Sequence, residues 1–456
     1  MSKSSTNYAV FDSMPIIKSL RKMVLPTILS QMIVLSYNLA DTFFIGKTGI
    51  AEMVAGVSLV LPLYNVTACL SSLAGVGGGA LVSRLLGQKN AREARKVCSF
   101  SLLLAAGGAL ILSLGVLLFN HPLLQFMGGR GTVLQYAIEY SMMVIVFGGI
   151  PAVLSGTMAN LLRSVGYSRQ AGAGIMAGGI MNFCLDPLFM FVLLPHGAEI
   201  YGAGLATLLS NFAVCIYFSV VFICKRMESP LYFGFRLGLP CRGSVLSLIS
   251  VGLPSAVASL CYDLYATVMT KVIAGYGDAA LASIGIAMKV ERLPLNVGTG
   301  LCQGAMPLIA YNYSAGNIDR MRGTIRYSIY AGVAATVLSV VFFELTADSI
   351  MHFFIHDVEI IQTGSQFLRI HSIATPLMFL SYFIMTVFQG FGHGKEAFCI
   401  GVLRWSAFST GMLLLFNFLW GLKGCLFSQA AADLLTVLLA AAMLYHFNRS
   451  IAVEEK

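Results

Sequence analysis

Apolar runs of about 20 residues recur along the whole chain, each bounded by short polar or basic stretches. A run of that length crosses a bilayer as a helix. Twelve such spans are predicted, at 23–46, 54–83, 97–119, 133–155, 170–194, 201–224, 245–273, 280–309, 326–347, 366–389, 397–420 and 424–446. They leave almost nothing for a soluble domain, so the expected fold is an all-α integral membrane protein. Any chemistry must then occur within the membrane or at its surface.

The pattern also repeats at half the chain length. Pro26 in Met-Val-Leu-Pro-Thr matches Pro254 in Val-Gly-Leu-Pro-Ser, and Gly79-Ala80 matches Gly304-Ala305. Lys89-Asn90 matches Gly316-Asn317, Pro151 matches Pro376, and Val165-Gly166 matches Phe391-Gly392. The offset stays near 225–228 residues. Two pseudo-symmetric six-helix lobes of the same orientation follow, at 1–224 and 245–456. A polar segment, 225–244, links them. Such repeats are common in secondary transporters, with the site near the midplane.

Composition supports the membrane assignment. The chain is 57% hydrophobic and only 11% charged, against roughly 25% charged in soluble domains. Its net charge of +9 is concentrated in alternate loops. Lys18, Arg21 and Lys22 precede the first span, and Arg84, Lys89, Arg92, Arg95 and Lys96 follow the second. Arg163 and Arg169 follow the fourth, and Lys225, Arg226, Arg236 and Arg242 the sixth. Arg320, Arg322 and Arg326 follow the eighth, Lys395 the tenth and Arg449 the last. The other loops hold little beyond Lys47, Arg130 and Lys423. This bias predicts both termini in the cytoplasm of a cell inner (plasma) membrane, and it reads as topology rather than nucleic-acid binding. No removable signal peptide is expected. The ten cysteines carry no metal spacing and read as reduced, small hydrophobes.

Against this apolar background the acids stand out. Asn182 and Asp186 lie at i and i+4 on one face of the fifth span, and Asp41 ends the first. A bare carboxylate in the membrane costs at least ~2.5–3.5 kcal/mol, so each is a candidate functional group. The repeat places Phe408 and Met412 where Asn182 and Asp186 stand, and Met269 near the match to Asp41. Acids required by the fold would recur in the second lobe, so their asymmetry favours a proton or cation site. Tyr37 lies one turn before Asp41 and can donate a hydrogen bond to it. Neutralising such acids would remove their desolvation cost and let polar contacts rearrange. Pro26 and the Gly172–Gly179 cluster are expected bending points, and Gly75–Gly79 a site of close helix packing.

In the second lobe, Lys289, Glu291 and Arg292 interrupt the eighth span, with Lys289 and Arg292 on one face. They are expected to line a central cavity or to pair with an acid such as Asp263. Asp433, one turn after Gln429, reads as a polar packing group. The chain has no HExxH, GxSxG or Rossmann unit, and Gly46-Lys47-Thr48 lacks the first glycine of a Walker loop. An enzyme is therefore not expected, nor a cofactor. Charged rings and carbonyl-filter motifs of channels are absent too.

Several motifs together resemble the multidrug and toxic compound extrusion (MATE) transporters, most of all the bacterial branch of DinF and MepA proteins. They are Pro26…Gln31…Asp41-Thr42, Leu162-Arg163-Ser164-Val165-Gly166, Asn182-x-x-Leu185-Asp186-Pro187-Leu188-Phe189, Gly202-Ala203-Gly204-Leu205-Ala206-Thr207, and Gln303 to Asn317. The resemblance implies a rocker-switch antiporter that exports small organic cations in exchange for H⁺ or Na⁺. It implies an ion site at Asp41, Asn182 and Asp186, with Asn160 and Thr207 as polar neighbours. Under sodium coupling Asp41, Asp186 and Asn182 would be the metal ligands. Asp263 is the nearest match to a C-lobe acid of the sodium-using members. Asp263, Lys289, Glu291, Arg292 and Asp433 are thus candidates for the substrate cavity or its gating. A monomer is expected. A flippase for a lipid or lipid-linked saccharide is the alternative, with Lys289 and Arg292 as its only intramembrane phosphate ligands.

Overall fold

A computed structural model of the chain describes residues 9–232, 234, 238–355 and 357–454; Arg236 of the basic series lies outside them. The first lobe comprises α1 (Ile16–Lys47), α2 (Ala51–Gly87), α3 (Ala91–Phe126), α4, α5 (Ser168–Leu193) and α6 (Glu199–Lys225). Helix α4 is two pieces, Gly131–Phe147 and Gly149–Ser164, bent by 48°. The second lobe comprises α7 (Arg242–Ala274), α8 (Asp278–Ser314), α9 (Ile318–Phe354), α10 (Val358–Phe391), α11 and α12. Helix α11 begins with Gly394–Val402, widens into a π-helical stretch at Leu403–Ser409 and ends at Gly421, after which α12 runs to Glu454.

Among the described residues, nine helices are long and apolar enough to cross a membrane, or ten with the bent α4 counted as one span. Two more complete the expected twelve. Helix α8 carries Lys289, Glu291 and Arg292 within its span. The final 54-residue run is two spans divided at Gly421, whose φ of 60° and ψ of −141° break the helix.

The two lobes repeat at the level of backbone conformation. Gly166 (φ 89°) and Gly392 (φ 88°) both end a helix in the left-handed region. So do Lys89 (φ 59°) and Gly316 (φ 75°), residues that the sequence repeat had already paired. Pro26 and 172–179, the expected bending points, lie inside continuous helices. They pack on each other, since a Cβ at Gly172 would sit 2.7 Å from the Pro26 carbonyl oxygen. The deviations fall at Gly148, at the π-helical stretches and at Gly421, with a local one at Phe119.

The lobes meet at the end that carries the basic loops. Glycines permit it: a Cβ at Gly77 would collide with the Leu248 carbonyl of α7, and one at Gly252 with the Leu73 carbonyl of α2. On the other side, Gly300 and Gly304 of α8 admit Ile28 and Val24 of α1. Arg84 crosses from α2 to donate to Ser247 Oγ at 2.9 Å, and Glu93 accepts from Ser244 at 3.0 Å. Among the described residues, the hydrogen bonds between lobes reach no deeper than Asn65 and Asp263.

Candidate functional site: two acids in one lobe and a charged cavity in the other

The close approach of α1 and α5 builds the first-lobe site. Gly179 leaves room for Tyr37 and Ile33; a Cβ there would lie 2.9 Å and 2.7 Å from their side chains. One turn later Asn182 faces the same interior, and a further turn places Asp186, which is fully buried. Phe44 then packs on Phe183 and Phe191, with ring centroids 5.8 Å and 6.5 Å away, and joins the C-terminal end of α1 to α5.

Asn182 Nδ2 donates to Asp186 Oδ1 at 3.2 Å and reaches Thr207 Oγ1 of α6 at 3.4 Å. Asp186 Oδ2 and Asp41 Oδ1 are buried without a hydrogen-bond partner. The two carboxylates are close enough to interact electrostatically. Among the described residues neither forms an ion pair with Lys or Arg. The expected grouping of Asp41, Asn182, Asp186, Tyr37 and Thr207 is therefore one cluster. Asn160 points elsewhere: its Nδ2 donates to Gly156 O at 3.1 Å, and its Oδ1 accepts from Arg163 at 3.2 Å. Tyr64 and Tyr140, absent from the sequence reading, lie within electrostatic reach of Asp41, and Tyr64 bonds to Asn211. Their signal was a polar tip on an otherwise apolar helix face, which in a tyrosine is easily taken for packing.

The oxygen-rich cluster suits a proton or a small hard cation. Among the described residues no group of three or more His, Cys, Asp or Glu side chains could hold a metal ion. A sodium ion here would therefore depend on the two carboxylates, with an amide and hydroxyls completing its shell.

In the second lobe a cavity of about 360 Å³ lies beside the inter-lobe cleft. Tyr262, Asp263, Arg292, Phe379, Tyr382 and Trp405 line much of it. Asp263 Oδ1 accepts from Asn65 Nδ2 of the first lobe at 3.0 Å. Arg292 Nη2 donates to Tyr262 Oη at 3.2 Å, with the guanidinium 5.9 Å from the ring centroid. Of Lys289, Glu291 and Arg292 on α8, Arg292 lines this cavity and its neighbours do not. Lys289 is exposed and lines neither this cavity nor its side crevice. Glu291 turns to that crevice, of about 30 Å³, and pairs with His371 of α10 at 3.1 Å rather than with Asp263. Arg292 borders both spaces, whereas Glu291, one residue earlier on the helix, borders the crevice alone.

Asp433 accepts from Gln429 at 3.0 Å and also forms an ion pair at 3.0 Å with Arg404 of α11. That contact is oblique, so neither Arg404 Nη2 nor Asp433 Oδ1 has an aligned hydrogen bond. The Arg404 guanidinium lies 4.5 Å from the Trp405 ring centroid. Sequence reasoning passed over His371 and Arg404, although each is an ionisable residue inside an apolar span.

Comparison with known proteins agrees with this architecture. The chain is 27% identical over 446 residues to the multidrug export protein MepA of Staphylococcus aureus strain MSSA476, covering 97% of each chain. It is 26% identical over 450 residues to the MepA protein of Staphylococcus saprophyticus, covering 98% of this chain and 97% of that one. A solved outward-facing multidrug resistance MATE transporter of the MOP superfamily superposes over all of both chains, with a TM-score of 0.92 at 22% identity. The sequence model of the MatE family matches residues 26–188 and 254–419, one segment in each lobe. With both segments matched in order, covering well over half of its length, the chain belongs to the MATE family of transporters.

Proposed function

We propose that this protein exports small organic cations, drugs among them, in exchange for H⁺ or Na⁺, by rocking its two lobes about the bilayer midplane. The observation that carries the reading is the buried pair Asp41 and Asp186. Each has an oxygen without a partner, and among the described residues no basic side chain offsets either charge. A membrane protein keeps such groups at a cost, and binding a proton or cation there removes it. The relatives named MepA are multidrug exporters, which supports the substrate class.

In the proposed cycle Asp41, Asp186, Asn182, Tyr37 and Thr207 hold the coupling ion, with Asn160 one shell removed. Under sodium coupling Asp41, Asp186 and Asn182 are its ligands. A bound ion neutralises the carboxylates and lets α1 and α5 repack. Coupling then follows if ion and drug favour different states of the two lobes. Residues 1–224 and 245–456 move as the two bodies, joined by 225–244. Both termini lie in the cytoplasm, the protein sits in the cell inner membrane as a monomer, and no cofactor takes part.

Purified protein in proteoliposomes loaded with a fluorescent organic cation tests this. A proton gradient, then a sodium gradient, is imposed on wild type, Asp41→Asn and Asp186→Asn. Dye movement that both substitutions abolish, to less than about a tenth of wild type, is the expected result. The effective gradient names the ion. Movement that neither substitution alters removes the site assignment. No movement under any gradient removes the antiporter and leaves the lipid flippase.

A further inference from the structure

Tyr64 and Asn65 are consecutive residues of α2, and each engages a different lobe. A helix turns about 100° per residue, so one peptide unit serves both directions. Tyr64 bonds to Asn211 of α6 and lies within electrostatic reach of Asp41. Asn65 donates its amide to Asp263 of α7 at 3.0 Å. Asn211 stands one turn beyond Thr207 on the same face of α6. Thr207 is the hydroxyl that Asn182 reaches at 3.4 Å, and Asn182 also donates to Asp186 at 3.2 Å. Polar contacts and one turn of α6 therefore connect the buried acid Asp186 with the second lobe. The backbone of α2 is weak beside this contact. Pro62 lies inside the helix and has no N–H for the Ser58 carbonyl, so one rung of the ladder is missing. Gly77, where α2 meets α7 backbone to backbone, is 12 residues beyond Asn65, about 18 Å along the helix. Tyr64 and Asn65 can thus turn while that contact stays in place.

We infer that Asn65 is a positioning residue of the transport cycle: it passes the state of the first-lobe acids to the second lobe by holding or releasing Asp263. The direction follows from the donors. The amide N–H of Asn182 complements a charged Asp186 carboxylate. A proton or cation on that carboxylate takes the lone pair the amide used, so Asn182 turns and gives up Thr207. The face of α6 that holds Tyr64 through Asn211 then shifts, and Tyr64 draws Asn65 off Asp263. By linkage the influence is mutual: a lobe movement that parts Asn65 from Asp263 also favours the neutralised acids. The inference deepens the proposed exchange cycle and rests on the ion-site reading, to which it adds the route between the lobes.

The test uses the full chain carrying Trp420→Phe, which leaves Trp405 as the sole tryptophan. Trp405 meets the Tyr262 ring edge-on at 4.8 Å, and Tyr262 adjoins Asp263, so Trp405 emission and its quenching by acrylamide report the contact. Asp186→Asn stands in for the neutralised acid and should shift both signals. Asn65→Ala should reproduce the shift. Adding Asp186→Asn to it should then change Trp405 by less than about a fifth of the effect of Asp186→Asn alone. In Tyr64→Phe, Asp186→Asn should no longer move Trp405. A merely structural contact would instead lower the melting temperature of each variant and let the effects on Trp405 add. Additive effects overturn the inference, as does an Asp186→Asn protein whose Trp405 matches its parent. Gradient-driven dye movement in the same variants separates this outcome from a failure of the export reading. If Asp186→Asn stops dye movement but leaves Trp405 unchanged, the ion site stands and Asn65 is not its link. If Asp186→Asn leaves dye movement intact, the ion-site reading fails and takes this inference with it.

Discussion

Arg404 and Asp433 are almost wholly enclosed, at 3% and 0% side-chain exposure, and their ion pair shows what a buried charge demands of its neighbours. Removing one partner strands the other in a region without water, which costs about 3–5 kcal/mol, whereas replacing both with apolar groups is close to neutral. Arg404→Met should therefore lower the thermal unfolding midpoint in detergent sharply. The double variant Arg404→Met with Asp433→Leu should recover most of the loss. Equal midpoints for the single and double variants would mean that the pair is not coupled. The same logic explains what was legible at this scale. Asp41 and Asp186 stand out in the sequence because an acid in an apolar span is rare. What the sequence cannot state is whether a charge has a partner. Asp433 finds Arg404 and Glu291 finds His371, whereas among the described residues Asp41 and Asp186 form no ion pair and each keeps a buried oxygen without a hydrogen-bond partner.

At the scale of helices, the contact of α2 with α7 depends on backbone touching backbone at Gly77 and Gly252. A methyl group at Gly252 would overlap the Leu73 carbonyl, and that oxygen can retreat only if α2 moves. Overpacking of this kind costs typically about 1–3 kcal/mol. Gly252→Ala should be destabilised in a detergent melt. Gly285→Ala, on α8 with open space around its Cβ, should be unchanged or slightly stabilised, because alanine is the better helix former. If the two variants melt alike, the close approach is not a constraint. The sequence marks Gly75–Gly79 as a packing surface but not its partner, since a small-residue stripe fits any flat helix. The twelve spans are legible because each needs its own apolar run, and the division at Gly421 falls in the gap predicted between 420 and 424. Pro26 lies inside α1, and Gly172 of α5 makes room for its carbonyl, a partner that the sequence does not name.

For the whole molecule, the closed end is secured by a segment that belongs to neither set of six helices. Residues 9–14 form a turn ahead of α1, in which Ser13 and Met14 donate to the Ala9 carbonyl. That turn crosses to the second lobe. Phe11 is fully buried and stacks on Tyr311 of α8 with centroids 5.0 Å apart. Its carbonyl accepts from Arg320 Nε of α9 at 2.7 Å and from Asn312 Nδ2 at 3.2 Å. Since α1 is part of the first lobe, opening the basic end must either tear Phe11 from its seat or bend α1 away from it. In both cases the contact favours the state described here. Truncating a buried phenylalanine costs up to about 3–5 kcal/mol, and each 1.4 kcal/mol of it that distinguishes the two states changes their ratio about tenfold. Spin labels at Gln88 and Arg322, exposed sites on opposite lobes at this end, report the opening as a distance. Phe11→Ala should add a longer-distance population that wild type lacks, and should raise the rate of dye movement if opening of this end limits the cycle. A distance distribution identical to wild type would mean that the glycine contacts and Arg84 close this end without the turn.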